Sequence, residues 1–261
     1  MDDFNREVPG RISAIPVYRI IRKMDEYMSR LDYAGAERHL KYWLAEARDL
    51  GDRQGELTML NELIGHARKT GQRELAERCS GEALALTGEL ELGDSVTVGT
   101  TCINIATAAY VFKDYARSMD MFSRAEAVYL KHPDTDPKLL GGLYNNMGLT
   151  LTALHGYDEA MDAYRKALEQ MAKVPGGALE QAETCLNMAN TLEYRCGAVE
   201  AEGRIDELLD RAEALLDTPG LPHDGYYAYV LDHCAPTFER YGYFLTAQRL
   251  KEQTKQYYER T

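Results

Sequence analysis

One local pattern recurs six times along this chain of 261 residues and constrains it more than any single motif. A turn position, aromatic in four of the six instances, is followed three residues later by a small side chain. The pairs are Tyr33 with Ala36, Arg73 with Ala76, Tyr115 with Ser118, Tyr157 with Ala160, Ala198 with Ala201, and Phe244 with Ala247. The small residues are 40, 42, 42, 41 and 46 positions apart. A near-constant period in this range is the mark of stacked helix pairs, in which each pair buries its apolar face only against its neighbours.

The intervals between these positions read as helices. In Asp158–Met171 the less polar residues Ala160, Met161, Ala163, Tyr164, Ala167, Leu168 and Met171 recur three and four apart, which makes one apolar stripe with the charges opposite. Leu40, Trp43, Leu44 and Ala47 repeat the pattern, as do Met119, Phe122, Ala125, Val128 and Tyr129. Ser13 followed by Ile15 and Pro16 predicts a first helix from about residue 16 to Arg30, because Pro is at home in a first helical turn. Clusters of Gly and Pro at 50–52, 88–93, 132–137, 174–177 and 217–225 end one pair and start the next. Strand signals are nearly absent, the Val-Thr-Val at 96–98 being short enough to read as a loop entering a helix.

The expectation is therefore an all-α solenoid of about six antiparallel helix pairs. The units fall near 16–50, 51–92, 93–136, 137–177, 178–220 and 221–261, after a tail over residues 1–15 without sustained period. Pro236 falls inside the first helix of the sixth unit, where it either kinks the helix or shifts its start.

Composition narrows the function classes. A formal charge of −12 disfavours non-specific attraction to nucleic acid or to an anionic membrane. The small basic groups at Arg19, Arg22 and Lys23 and at Arg68, Lys69 and Arg73 read as solvated helix faces. The acidic amino terminus lacks the basic and apolar regions of a secretory signal, and no apolar run nears the roughly 18 residues that span a bilayer, so a cytoplasmic location is expected. The five cysteines, Cys79, Cys102, Cys185, Cys196 and Cys234, are scattered and unpaired in spacing, and read as small core residues. The six histidines show no metal-ligand spacing, and neither a phosphate-binding Gly-rich loop nor a nucleophile elbow occurs. No catalytic site, metal or cofactor is expected.

The fourth unit, residues 143–169, resembles the tetratricopeptide repeat (TPR). It carries Met147-Gly148 in the first helix, Gly156-Tyr157 at the turn, and the small-aromatic-small series Ala160, Tyr164, Ala167. The third unit repeats the pattern with Ala106, Tyr115, Ser118, Phe122 and Ala125. Units two, five and six match more loosely, and unit one most loosely, with Trp43 where the family prefers a small residue. A period near 41 exceeds the family's basic length of about 34 and resembles the long-helix variants of kinesin light chains and of bacterial regulators. The resemblance implies a right-handed superhelix whose concave wall is lined by the first helix of every pair, and an interaction scaffold that takes a protein or peptide segment in that groove.

Asn104, Asn146 and Asn187 each lie eleven residues before the turn positions Tyr115, Tyr157 and Ala198. In the resembling peptide-binding members this slot faces the groove, and an amide there can both donate to and accept from an extended backbone. A structural hydrogen bond to the neighbouring repeat is the alternative reading. Asn145 and Asn190 share the exposed side by helical geometry, and Thr107, Tyr110, Leu149, Thr152, Glu193 and Tyr194 flank the row. Units two and six depart from it, with Asn61 and Glu62 and with Asp232 and His233. Arg68, Lys69 and Arg240 do not complete the basic set that would clamp a terminal carboxylate. Seven tyrosines, Tyr226, Tyr227, Tyr229, Tyr241, Tyr243, Tyr257 and Tyr258, crowd the last unit; they either seal the end of the stack or mediate a homodimer. The competing function is a regulatory or sensory solenoid that binds a small effector or self-associates.

Overall fold

The computed structural model describes residues 14–260, in twelve α-helices with no strand among those residues. The chain splits into two compact units, Met1–His132 and Pro133–Thr261. The first holds α1 (Val17–Ser29), α2 (Tyr33–Asp49), α3 (Arg53–Thr70), α4 (Arg73–Glu89), α5 (Val96–Val111) and α6 (Tyr115–Tyr129). The second holds α7 (Pro137–Ala153), α8 (Tyr157–Met171), α9 (Ala178–Cys196), α10 (Ala198–Leu216), α11 (Gly225–Arg240) and α12 (Phe244–Arg260).

Every one of the six recurring turn positions is the first residue of the second helix of a pair: Tyr33, Arg73, Tyr115, Tyr157, Ala198 and Phe244 open α2, α4, α6, α8, α10 and α12. The small residue three positions on is buried in each, with Ala36, Ser118 and Ala160 at 0% exposure. A methyl or hydroxymethyl group at this place lets the first helix of the pair lie close against the second.

Five of the six hairpin turns share one backbone solution. Leu31, Gly71, Lys113, His155 and Gly242 each stand two residues before the second helix with φ between 55° and 84°. In each, the next N–H reaches back five residues to a helix carbonyl at 2.9 Å: Asp32 to Tyr27, Gln72 to Ala67, Asp114 to Ala109, Gly156 to Leu151, and Tyr243 to Phe238. This is the Schellman closure, which satisfies carbonyls that the helix end would leave orphaned. The fifth turn is shorter than all of these, since Gly197 alone ends α9 and opens α10. Aspartates cap several helix starts, among them Asp32, Asp52, Asp114 and Asp224, whose Oδ1 atoms accept from Gly35, Gly55, Arg117 and Tyr227 N–H.

Within the first unit the pairs α1/α2, α3/α4 and α5/α6 pack as hairpins, α2 against α3 and α4 against α5, and the first helices α3 and α5 lie side by side. Within the second, α7/α8, α9/α10 and α11/α12 form the hairpins, α8 lies against α9, and the first helices run α7, α9, α11. The buried set of α8 is Ala160, Met161, Ala163, Tyr164, Ala167, Leu168 and Met171, the stripe read from its periodicity. Tyr164 is fully buried, and its ring comes so close to Gly148 of α7 that a Cβ there would lie 2.4 Å from it. Only glycine fits that approach.

Of the N-terminal tail, residues 1–13 lie outside the described residues. Ile15 is packed, 2% exposed, and its N–H donates to Asp52 Oδ2 at 3.0 Å. The helix α11 runs through Pro236, which sits on an exposed face where only one backbone N–H, that toward the Asp232 carbonyl, is forgone. One expectation is corrected. Cys79, Cys102, Cys185 and Cys234 are buried, but Cys196 is exposed, because the apolar stripe of α9 ends at Leu192 and Cys196 is the helix's last residue.

The two glycines of α7 separate close packing from helix propensity. Gly148→Ala is expected to lower stability by about 1–3 kcal/mol through overpacking against Tyr164. Gly142→Ala, whose Cβ would meet nothing within 4 Å, is expected to raise it by roughly 0.5–1 kcal/mol. Urea denaturation midpoints measure both.

Candidate functional site

Counting back from the start of each second helix aligns the first helices residue by residue. At eleven positions back stand Asn104 on α5, Asn146 on α7 and Asn187 on α9, all half-buried. The first unit is considered alone. There Asn104 Nδ2 donates to Asn61 Oδ1 on α3 at 3.0 Å, and Asn61 Nδ2 donates to Thr101 Oγ1 on α5 at 3.1 Å and to the Leu57 carbonyl at 3.0 Å. The second unit builds the same clamp from the same registers. Asn187 Nδ2 and Thr184 Oγ1, both on α9, donate to Asn145 Oδ1 on α7, each at 3.1 Å.

Asn61 and Asn145 both lie twelve residues before a second helix, and Thr101 and Thr184 both lie fourteen before one. Each unit thus ties one first helix to the next by an Asn–Asn–Thr clamp. The amides are not exhausted by it. Asn104 and Asn187 each commit one N–H, and each keeps a second N–H and a carbonyl oxygen. Asn146, partly exposed on α7, makes no side-chain hydrogen bond among the described residues.

The flanking residues divide. Thr107 Oγ1 turns back to the Asn104 carbonyl at 3.0 Å, and the half-buried Tyr110 packs its ring 5.6 Å from that of Tyr115. Thr152 Oγ1 meets Thr191 Oγ1 across α7 and α9 at 2.8 Å, and Leu149 is half-buried. Glu193 and Asn190 of α9 take part in a network with α11. Tyr241 OH lies 2.7 Å from Glu193 Oε2 and 3.1 Å from Asn190 Oδ1, and Arg240 pairs with Glu193 at 2.8 Å. Arg240 also stands 6.0 Å from the ring centroid of the exposed Tyr194.

Four residues of the second unit's first helices were not among the groove residues expected from sequence: Glu180, Glu183, Tyr226 and Tyr229. Glu180 and Tyr226 both lie eighteen residues before a second helix, Glu183 and Tyr229 fifteen before one. The signal was present in the repeat register, but single residue types on different helices show nothing until the units are aligned. Tyr226 and Tyr229 stack at 6.4 Å, and the Tyr229 ring lies 4.4 Å from that of His233. Lys138 of α7 places Nζ 6.0 Å from the Tyr226 centroid and 3.7 Å from Glu180 Oε1. Burial, helped by the neighbouring charge of Glu180, pushes the Glu183 carboxyl up to about 7. In the first unit Glu62 is likewise raised, by burial and then by Asp25.

The architecture has solved counterparts. BtubC (BKLC) from P. vanneervenii superposes with a TM-score of 0.67 at 19% identity, over 79% of this chain and 83% of that one. A Podosopora anserina kinesin light chain of nearly identical TPR-like repeats superposes with a TM-score of 0.54 at 14% identity, over 78% and 95%. The MamA protein superposes at 0.52 and 17%, over 78% and 97%. The chain has a TPR-like repeat fold, as the recurring pattern implies. No family model matches it, and no curated protein matches it. Among the described residues no helix is long and apolar enough to cross a membrane.

The clamp is measurable as a coupling. In a double-mutant cycle, Asn145→Ala and Asn187→Ala are each expected to destabilise, with a favourable interaction of about 0.5–1.5 kcal/mol between them. Equilibrium urea unfolding of the four proteins gives that value.

Proposed function

We propose that the chain is a non-enzymatic interaction scaffold that holds an extended segment of a partner protein against the open faces of its first helices. Backbone capture falls to Asn104 in the first unit and to Asn146 and Asn187 in the second, with Asn145 and Asn190 extending the polar strip. Thr107, Tyr110, Leu149, Thr152, Glu193 and Tyr194 flank it. The observation that carries the reading is the spare hydrogen-bonding capacity at one repeat register: among the described residues Asn146 has no side-chain hydrogen bond, and Asn104 and Asn187 spend one N–H each. An unspent amide on a half-buried face is suited to an extended backbone, which offers N–H and C=O at regular spacing. The fold supports this in general terms, since stacked helix pairs present extended surfaces that serve binding. The reading takes the chain as cytoplasmic and without metal or cofactor.

The test is replacement of Asn104, Asn146 and Asn187 by Ala together. Loss of about 1 kcal/mol per capturing amide would weaken partner binding by one to two orders of magnitude. Isothermal titration with a co-purified partner, beside circular dichroism to confirm folding, checks it. Unchanged affinity in a folded variant contradicts the role of the row.

Self-association is a second reading, favoured by the start of α12 and its surroundings. Phe244 is 66% exposed and Leu245 85%, adjacent in the first turn of α12. Two large apolar side chains exposed side by side suit a contact surface. If this surface joins two copies, light scattering at high concentration gives twice the chain mass, and Leu245→Glu returns it to the single mass. A single mass for the unaltered protein at all concentrations removes this reading.

A further inference from the structure

Between the second helices of the first two pairs, away from the amide row, the first unit opens a cleft. The short turns at 50–52 and 71–72 reverse the chain twice, so α2 and α4 run parallel, both packed on α3. The space between them is about 330 Å³, at the small end of the roughly 300–1,000 Å³ that sites for small molecules occupy. Leu44 of α2, Leu63 of α3, and Leu75 and Cys79 of α4, all buried, give it an apolar floor, and the exposed Ala45 forms part of one wall.

The charges around the cleft are sorted along it. Arg48 reaches from α2 to pair with Glu82 of α4, and its Nε also holds the buried Glu56 at 2.9 Å. Lys41 stands seven residues before Arg48, and Arg78 four before Glu82. Both therefore lie on the same side of this bridge, roughly 10 Å and 6 Å from it along the helix axes. Asp49, the other acidic lining residue, follows Arg48 and falls beyond the bridge, toward the opposite end. Lys41 spends one N–H on Glu37, whereas the exposed Arg78 has neither a hydrogen bond nor an ion pair among the described residues. The floor registers the sign of the field. Burial and then Glu82 push the Cys79 thiol up, while Arg78, Arg48 and Lys41 all oppose the rise. Three cations act at that point against one carboxylate.

We infer that this cleft is a binding site for a small amphipathic monocarboxylate, its headgroup beside Arg78 and Lys41 and its apolar chain laid over Leu44, Leu63 and Leu75. An uncommitted guanidinium presents a fork that matches a carboxylate through two parallel hydrogen bonds, and one free cation calls for one negative charge. The leucines beneath favour an anion that brings apolar surface of its own over a fully polar one. The site belongs to the second helices of the first unit, so it goes beyond the capture of a protein segment by the first helices and does not depend on it.

Isothermal titration of the full chain with octanoate, octanamide and octylammonium tests it, with circular dichroism to confirm that each variant is folded. Octanoate is expected to bind about tenfold tighter than octanamide, and octylammonium most weakly. Arg78→Gln is expected to remove most of that preference. Ala45→Phe, which fills the cleft from an exposed wall, is expected to abolish binding of all three. Arg204→Gln takes an exposed charge from α10 of the second unit and should change affinity by less than about twofold. Equal binding of octanoate and octanamide, equal losses from Arg78→Gln and Arg204→Gln, octanoate affinity unchanged by Ala45→Phe, or no octanoate binding up to its solubility limit would each overturn the inference. A capped leucyl-glutamate dipeptide that competes with octanoate and binds more tightly would make the cleft a contact for an acidic protein segment, and would overturn the choice of a small ligand. Replacement of Asn104, Asn146 and Asn187 by Ala is expected to leave octanoate binding unchanged, so the failure of either reading is seen apart from the other.

Discussion

Close approach of two helices at one small residue is the constraint from which the rest follows. With Ala36, Ala76, Ser118, Ala160, Ala201 and Ala247 buried three residues into each second helix, the helices of a pair can touch along their length. The large side chains are then displaced to the seams, where Tyr129 and Tyr164 are fully buried. A larger side chain at those six places would push the pair apart and open voids around both rings, and dense interiors absorb such changes poorly. The shared Schellman turn complements this packing, because it fixes the angle at which the second helix leaves the first in five of six pairs. At Leu31, Lys113 and His155 the turn is kept although the left-handed conformation disfavours side chains other than glycine.

Much of this architecture was legible in the sequence, for a physical reason. A repeat brings each unit into the same environment, so the small residue, the turn and the apolar stripe recur at a period that survives divergence of everything else. The stripe of α8 and the start of every second helix could therefore be read directly. The amide row was only half legible. Its positions follow from the period, but the partners do not: Asn61 and Asn145 sit one register away, and a bond between side chains some 42 residues apart leaves no local trace. The alternative of a structural bond to the neighbouring repeat holds for one N–H of Asn104 and of Asn187, and the rest of each amide makes no bond among the described residues.

The acidic and aromatic set was harder to see. Glu183 is one of many carboxylates in a chain with 42 acidic residues, and most of them lie on solvated helix surface. What distinguishes it is its burial next to Glu180, which a linear sequence does not record. Cys196 shows the same limit in reverse. Residue type suggested the core, whereas position at the last turn of α9 decided exposure. Helix ends are where side-chain preference says least about burial, because the stripe that organises the helix has already stopped.

The first helices carry the surface on which the functional account depends, while the second helices turn charged faces outward. Two open glycines distinguish these surfaces directly: Gly142 on α7 and Gly203 on α10, where an added side chain meets nothing within 4 Å. A photo-crosslinking amino acid placed at each in turn, followed by irradiation with the partner bound, reports where that partner lies. The account predicts adducts from position 142 and none from position 203. Adducts from position 203 with none from 142 would contradict it.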